Sequence, residues 1–212
     1  MSHPLAQFVL FDGFDPLDVV APYEVLSAGR EFLGGELDLV FVSAEGARDV
    51  VSGTPGITLP ATAAWDPGAP GYVVVPGASG PADAVPVLLG RFAASAAVPL
   101  LRRCLAEPAV TVAAVCGGSL ALAMAGLLAG RTATTHVLGI GALAATGVTA
   151  VRARVVDDGD LVTAGGVTSG LDLGLYLLER DFGPRIAHAV EELFEYERRG
   201  TTWTGRGRVP AA

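Results

Sequence analysis

The sequence predicts an α/β fold in which a mainly parallel β-sheet is covered by helices on both faces, as a three-layer sandwich. Short apolar segments of strand length alternate with longer segments of helical periodicity, which is typical of repeated β-α-β units. The composition is 51% hydrophobic and 17% charged, so the chain can bury a sizeable core. Its 212 residues show no marked change of composition and match the length of one domain. We expect a single domain over residues 1–200 and a polar C-terminal tail over residues 201–212.

The first half of the chain is predicted to contain three main strands and two helical segments. In order, these are a strand in AQFVLF, a helix in LDVVAPYEVLSAGREFL, strands in ELDLVFVSAEG and YVVVPGASGP, and helical spacing through DAVPVLLGRFAASAAVPLLRRCLAE. Strands are assigned to short apolar runs, and helices to segments in which apolar residues recur every three or four positions. The Gly- and Pro-rich segment GITLPATAAWDPGAPG predicts a loop with one short strand.

The second half is predicted to add strands, a hairpin and three helices. AVTVAAV is a strand, SLALAMAGLLAG a helix, RTATTH a strand, GVTAVRARVVDDGDLVTAGG a hairpin, and SGLDLGLYLLERDFG and PRIAHAVEELFEYERRG are the closing helices. The hairpin is expected to turn at DDGD, because Asp and Gly favour a tight reversal. The tail TTWTGRGRVPAA is polar and is expected to fray.

The charge of the chain argues against two classes of partner. The net charge is -8, so neither nucleic acid phosphates nor an anionic membrane surface is an expected partner. The N-terminus has no basic region typical of a signal peptide, and no apolar run reaches the roughly 18 residues of a membrane span. We therefore expect a cytoplasmic protein, in which the two cysteines are free thiols rather than a disulfide.

A cysteine stands where the strand AVTVAAV is predicted to turn into a helix. Cys116 ends the apolar run and is followed by Gly117 and Gly118, which suit the cramped backbone of a nucleophile elbow. The N–H groups at the start of the following helix favour a thiolate, so we expect them to lower the pKa of the thiol. The alternative is a buried structural cysteine. Cys104, which lies in the helical segment LLRRCLAEP, is interpreted as structural.

Carboxylates near the first predicted helix are candidate proton partners of this thiol. Asp15 precedes a proline and is a natural N-cap, and Asp18 follows at the capping-box spacing. In a parallel sheet, this turn opens at the same edge as the predicted elbow. Asp18 is followed by the apolar segment VVAP, where desolvation would raise its pKa and suit it to proton transfer. Glu24 is the rival carboxylate.

Three histidines complete the candidate set. His136 follows the predicted elbow helix and either lies near the thiol or caps a strand. His188 is expected on an exposed helix face, and His3 is terminal. The spacing of Cys116, His136 and Asp18 is not the close spacing typical of zinc ligands, so no metal site is predicted.

Four segments resemble, in the same order along the chain, a known family pattern. They are LFDGFDPLDVVAPYEVL, YVVVPGASGP, VAAVCGGSLALAMAGLLAGRTATTH and LVTAGGVTSGLDLGLYLLE. Together they resemble the ThiJ/PfpI superfamily over nearly the whole chain, and within it an isonitrile hydratase-like branch. This resemblance implies a flavodoxin-like fold of the class I glutamine amidotransferase type.

The resemblance also implies roles for individual residues. Cys116 would attack the terminal carbon of an isonitrile, and Asp18 would supply and recover protons while water converts the thioimidate to an N-substituted formamide. Gly77, Ala78 and Gly117 would lie at the substrate or oxyanion site. No cofactor is implied, and the expected partners are a small-molecule substrate and a second copy in a homodimer. Gly117 departs from the hydratase pattern, which has Thr at this place.

Two other functions fit the same residues. A glyoxalase- or deglycase-like enzyme acting on small aldehydes would use Cys116 with His136 and an acidic partner. A non-catalytic protein would bind a ligand or sense oxidants through Cys116. A protease is disfavoured, because Gly117 stands where the PfpI proteases have His.

Overall fold

The computed structural model describes residues 3–207 and contains twelve strands and seven helices in that range. The strands are β1 (Leu5–Val9), β2 (Asp38–Ser43), β3 (Arg48–Val51), β4 (Thr58–Ala61), β5 (Ala63–Ala64), β6 (Gly71–Val75), β7 (Val110–Val115), β8 (Thr132–Ala133), β9 (Thr149–Ala150), β10 (Val155–Asp157), β11 (Leu161–Ala164) and β12 (Trp203–Thr204). The helices are α1 (Pro16–Phe32), α2 (Ala84–Phe92), α3 (Ala97–Ala106), α4 (Gly117–Met124), α5 (Ile140–Ala145), α6 (Ser169–Phe182) and α7 (Pro184–Phe194).

Eight strands form the central sheet in the order β12-β10-β11-β7-β6-β1-β2-β5. Every neighbouring pair is parallel except β10 with β11. The strand order reverses at β1, because β2 lies on one side of it and β6 on the other. The prediction of an α/β fold with a mainly parallel sheet is confirmed.

The helices contact one another in two groups. One group contains α1, α6 and α7, while α4 contacts both α2 and α5. Glycines allow α1 and α6 to approach closely, since a Cβ on Gly174 would lie 2.7 Å from Cγ1 of Val25, and one on Gly29 would lie 2.5 Å from Cδ2 of Leu178. The strands β6, β7 and β11 are buried along almost their whole length, as the apolar runs predicted.

The helical segment predicted over DAVPVLLGRFAASAAVPLLRRCLAE is in fact two helices, α2 and α3, which are bent by 64°. The break has a local cause. The Ser95 hydroxyl donates to the carbonyl oxygen of Phe92 at 2.8 Å and accepts the N–H of Ala97 at 3.2 Å, so it ends one helix and begins the next. No single helix within residues 3–207 is long and apolar enough to cross a membrane, and the bent pair passes only by length and composition.

The structure refines two further predictions and adds one hairpin. The hairpin at DDGD is confirmed as β10 and β11, with the side chain of Asp157 accepting the N–H of Gly159 at 2.7 Å. The strand predicted in RTATTH is reduced to β8, which pairs with β9 outside the central sheet. A hairpin of β3 and β4 was not predicted.

Part of the predicted tail belongs to the sheet. The strand β12, Trp203–Thr204, pairs in parallel with β10 at the sheet edge, so the expectation that this part of the tail frays is wrong. Residues 208–212 lie outside the described residues. The single-domain boundary at residue 200 stays a prediction.

Candidate active site

The site is built where three parallel neighbours, β1, β6 and β7, end at the same edge of the sheet. Backbone hydrogen bonds join the loops after β1 and β6. The N–H of Asp15 donates to the carbonyl oxygen of Gly77 at 2.9 Å, and the N–H of Ser79 donates to that of Gly13 at 3.2 Å. This edge lies at the point where the strand order reverses, which is the usual ligand crevice of open α/β sheets.

Cys116 lies at the turn between β7 and α4 in an unusual backbone conformation. Its φ is +56° and its ψ is -125°, a region that non-glycine residues occupy at a cost of about 1–3 kcal/mol. Its N–H is held by the carbonyl oxygens of Ala164 at 3.0 Å and Gly165 at 2.9 Å. A Cβ on Gly118 would lie 2.4 Å from the carbonyl oxygen of Val75, so the turn needs glycine there. The predicted strand-to-helix turn is present.

The Cys116 side chain faces a cavity of about 670 Å³. The residue is 8% exposed. The walls are mainly apolar and are formed by Ala78, Ala82, Val85, Pro86, Leu89, Leu120, Met124, Leu138, Ala142 and Val167. The polar side chains that line it are Asp15, Ser79, Thr135, His136 and Thr146. The lining contains no Lys or Arg, and its mainly apolar walls suit a ligand with an apolar body.

Asp18 is fully buried on the first turn of α1. Its Oδ2 accepts the N–H of Gly77 at 2.9 Å, and its Oδ1 has no hydrogen-bond partner within residues 3–207. Burial and, less strongly, the charge of Asp15 raise the pKa of Asp18 to about 8, against smaller lowering effects of the Gly77 N–H and the neighbouring Cys116. The predicted rise of this pKa is confirmed.

The prediction that the helix N-terminus gives Cys116 a lowered pKa is wrong. Burial raises the pKa of the Cys116 thiol to about 12, and the negative charge of Asp18 raises it as well. The N–H groups of Gly117 and Val167 lower the pKa as expected, but by less. Desolvation therefore outweighs the helix N-terminus at this turn.

The glycines and alanine of the predicted oxyanion site surround this pair. A Cβ on Gly77 would lie 2.6 Å from the nitrogen of Gly117 and 2.9 Å from Oδ2 of Asp18, so these groups converge where only glycine fits. Ala78 and Gly117 line the cavity. A Cβ on Gly117 would lie 2.9 Å from Cδ1 of Leu89, so the missing side chain leaves room for this leucine to pack against the turn.

Of the other candidate residues, one lies at the cavity and two lie on exposed helix surfaces. His136 lines the cavity, and its Nδ1 accepts the N–H of Leu138 at 3.3 Å. Glu24 is exposed on α1 and does not line the cavity, so the structure does not support it as a rival to Asp18. His188 is 70% exposed beside Glu191 and Glu192, as expected for a helix surface.

Comparison with known proteins assigns the family. Residues 5–180 match the model of the DJ-1/PfpI family. The chain belongs to this family. It is 33% identical over 192 residues to an isonitrile hydratase of Pseudomonas putida, a match that covers 89% of this chain and 77% of that protein. It is 26% identical to a THiJ/PfpI family protein from Pseudomonas syringae with a TM-score of 0.79, over 97% of this chain and 80% of that chain.

A transcriptional regulator is also similar to this DJ-1/PfpI protein. The HTH-type transcriptional regulator CdhR of Pseudomonas aeruginosa is 30% identical over 193 residues, which cover 88% of this chain and 53% of the regulator. The chain thus spans about half the length of that relative. Similarity within the DJ-1/PfpI family therefore extends to proteins with different named roles.

Sequence reasoning missed one residue of this DJ-1/PfpI site. Thr135 is buried, and its Oγ1 donates to the carbonyl oxygen of Cys116 at 2.7 Å. The segment TTH formed part of the family resemblance, but nothing in the sequence shows which hydroxyl reaches the turn. Within residues 3–207, no group of three His, Cys, Asp or Glu side chains has the arrangement of a metal site.

Proposed function

We propose that this protein is a cysteine-dependent enzyme that hydrates isonitriles to N-substituted formamides. The observation that supports this most is a buried carboxyl group, Asp18, whose raised pKa keeps a proton beside the Cys116 thiol at an apolar cavity. The 33% identity to an isonitrile hydratase supports the same reaction class.

Asp18 and Cys116 act as one titrating unit in this proposal. A charged Asp18 raises the pKa of Cys116, because two negative charges in a buried site repel each other, whereas the neighbouring Cys116 thiol lowers the pKa of Asp18. The pKa of Asp18 is about 8 and that of Cys116 about 12, so between these values the pair holds a single proton. When that proton lies on Asp18, the sulfur is a thiolate and the neighbouring group is an acid.

The reaction begins from this thiolate and acid. The sulfur of Cys116 forms a bond to the terminal carbon of the isonitrile, and the proton of Asp18 passes to the same carbon, which gives a thioimidate and an Asp18 carboxylate. The N–H of Gly117 faces the reacting sulfur and stabilises its negative charge before attack.

Water then completes the reaction. The Asp18 carboxylate takes a proton from water as the hydroxide adds to the thioimidate carbon, and this proton passes to nitrogen. The hydroxyl of the resulting adduct gives its proton to Asp18 as the carbon–sulfur bond breaks. The N-substituted formamide leaves, and the thiolate and acid are regenerated, so the net reaction adds one water molecule.

The cavity favours particular isonitriles. Its walls are mainly apolar and its lining contains no Lys or Arg, so a neutral alkyl or cycloalkyl substituent would bury apolar surface without leaving a charge unpaired. An isonitrile with a carboxylate on its substituent would be a poor substrate, because Asp15 is the charged side chain at the cavity.

Product analysis tests the proposal. Wild-type protein is incubated with neutral alkyl isonitriles, and formamide is measured by chromatography. Cys116→Ala removes the nucleophile, and we expect turnover to fall at least about a thousandfold. Formamide production by Cys116→Ala at the wild-type rate, or none by the wild type with any neutral alkyl isonitrile, would contradict the proposal.

A non-catalytic ligand-binding role is the second candidate. The raised pKa of Cys116 favours it, because a thiol that stays protonated is a weak nucleophile. In this case isonitriles would bind without turnover, and binding would survive Cys116→Ala. Small aldehydes, for which His136 at the cavity is the supporting observation, are tested in the same assay.

The homodimer remains a proposal as well. Val137 and Leu138 are adjacent exposed apolar side chains, and Leu138, which lines the cavity, is 88% exposed, which favours a surface that a second copy covers. Sedimentation of the wild type and of Leu138→Asp tests it. We expect a dimer for the first and a shift toward monomer for the second, and a monomeric wild type would contradict it.

A further inference from the structure

The peptide group between Cys116 and Gly117 is held from its carbonyl side by hydroxyl groups. Thr135 Oγ1 donates to the carbonyl oxygen of Cys116 at 2.7 Å, and Ser119 Oγ lies 3.3 Å from the same oxygen. Ser119 Oγ also lies 2.6 Å from the carbonyl oxygen of Thr134. A hydroxyl has one hydrogen, so Ser119 donates mainly to Thr134, and Thr135 is the principal donor to Cys116.

The carbonyl of this peptide and the N–H of Gly117 are parts of one rigid unit. The structure has no cis peptide bond within residues 3–207, and in a planar trans peptide the C=O and N–H point in opposite directions. A donor that fixes the carbonyl oxygen therefore fixes the direction of the N–H. Of the two backbone N–H groups that lower the pKa of Cys116, that of Gly117 has the larger effect, and its nitrogen lies beside Gly77 and Asp18.

Thr135 is itself fixed relative to the sheet. The N–H of the preceding Thr134 donates to Oγ1 of Thr163 on β11 at 2.9 Å, and Thr134 Oγ1 donates to the carbonyl oxygen of Ala153 at 3.1 Å. The N–H of Cys116 is bound by Ala164, the last residue of the same strand. Hydrogen bonds thus connect both the N–H and the carbonyl oxygen of Cys116 to β11, the N–H directly and the carbonyl oxygen through Thr135 and Thr134. These bonds hold Cys116 at its positive φ.

We propose that Thr135 is a positioning residue: through the Cys116 carbonyl oxygen, its hydroxyl aims the Gly117 N–H at the reacting sulfur. This inference deepens the proposed function and rests on it for its role in turnover. The effect of Thr135 on the reactivity of the Cys116 thiol does not depend on which substrate the site accepts.

Three variants separate positioning from general packing. Thr135→Val keeps the shape and removes the hydroxyl, and Thr135→Ser keeps the hydroxyl. Ser43→Ala is the control, because Ser43 is also buried and its Oγ also donates to a backbone carbonyl oxygen, that of Gly46, at 2.7 Å, but it does not line the cavity. Each is alkylated with iodoacetamide over a range of pH, and modification of Cys116 is followed by peptide mass spectrometry.

We expect Thr135→Val to slow alkylation of Cys116 by about three- to tenfold at a fixed pH and to raise its apparent pKa, as befits the loss of one hydrogen bond. Thr135→Ser is expected within about twofold of the wild type, and so is Ser43→Ala. Alkylation of Thr135→Val at the wild-type rate, or an equal loss of rate in Ser43→Ala, would overturn the proposal. If Thr135→Val does not fold, Thr135→Ala replaces it, and the hydroxyl of Thr135→Ser must still restore reactivity.

Turnover gives a second readout. If isonitriles are substrates, Thr135→Val should lower kcat by a similar factor and leave KM unchanged, because the Gly117 N–H acts on the sulfur rather than on the apolar substituent. A change in KM alone would contradict positioning. If the wild type turns over no isonitrile but the alkylation results are as expected, the proposed function fails and the role of Thr135 stands.

Discussion

The two cysteines of this chain are both buried, yet their surroundings differ. Cys104 lies within α3, is fully buried in the core, and has a pKa that burial raises to about 11. Cys116 lies at a turn with φ of +56°, faces a cavity, and has a pKa that burial raises to about 12. Burial thus raises the pKa of both thiols, so the pKa of the thiol alone does not distinguish a candidate nucleophile from a structural cysteine.

The difference lies in what stands next to each sulfur. The charge of Asp18 is the second cause of the raised pKa of Cys116, and Asp18 itself titrates at about 8. Trp65 is the largest of the groups that lower the pKa of Cys104, and an indole N–H cannot exchange a proton near neutral pH. A buried thiol becomes a useful nucleophile only where a neighbour can take its proton.

Replacing the carboxyl group should have the largest effect after loss of the thiol itself. Asp18→Asn keeps an oxygen that accepts the Gly77 N–H but cannot transfer a proton. We expect kcat for isonitrile hydration to fall about 10²- to 10⁴-fold. Asp15→Asn is the control, because it keeps the N-cap oxygen that binds the N–H of Leu17. Equal losses in both variants would show that charge at the cavity, rather than proton transfer, matters.

The same substitution should change how stability depends on pH. Since burial raises the pKa of Asp18 from 3.8 to about 8, the folded protein keeps a proton that the unfolded chain releases above about pH 4. This contribution to stability is complete below pH 4 and is lost as the pH rises through 8. Between pH 4 and pH 8, the unfolding free energy of the wild type should fall by several kcal/mol relative to that of Asp18→Asn, at about 1.4 kcal/mol per pH unit.

Urea unfolding of both proteins between pH 4 and pH 9 measures this difference. Parallel curves for the wild type and Asp18→Asn would show that the carboxyl group is not desolvated in the folded state.

Cys104→Ala tests the structural side of the comparison. Removal of a fully buried sulfur from the core should lower the free energy of unfolding by about 1–2 kcal/mol. Turnover and Cys116 alkylation should stay within about twofold of the wild type, because Cys104 does not line the cavity. A loss of activity without a loss of stability would show that Cys104 has a role beyond packing.

Gly117→Ala should have the smallest effect of the set. The new Cβ would lie 2.9 Å from Cδ1 of Leu89, a flexible side-chain end that can move. We expect a loss of about 1 kcal/mol in stability, which Leu89→Ala in the same chain should reduce. A double-mutant cycle from urea unfolding measures the coupling, and additive effects would show that the two residues do not compete for this space.

The sequence predicted the fold well because its central strands β6, β7 and β11 are short apolar runs that the parallel sheet buries almost completely. It also predicted that Asp18 has a raised pKa, since an apolar segment follows directly. It could not predict the break at Ser95, where one hydroxyl outweighs a continuous helical pattern. Nor could it predict β12, because two residues in a polar segment form a strand only where the edge of β10 is available.

The errors at the site arise from burial and long-range contacts. The N–H groups at the helix N-terminus do lower the pKa of Cys116, as predicted, but burial of the thiol has the larger effect and raises it. Glu24 and Asp18 both follow the first turn in sequence, and only the packing of α1 shows that Glu24 is exposed. Thr135 reaches Cys116 across 19 residues of sequence, a contact that local patterns do not encode.

The pH dependence of Cys116 alkylation in the wild type and in Asp18→Asn tests the central claim most directly. If the thiol and the carboxyl group share one proton, wild-type reactivity should rise with an apparent pKa near the value of about 8 at which the pair first loses a proton. In Asp18→Asn this step should disappear, and alkylation should begin only at higher pH. Identical profiles for the two proteins, or a wild-type thiol inert below about pH 10, would contradict a coupled pair.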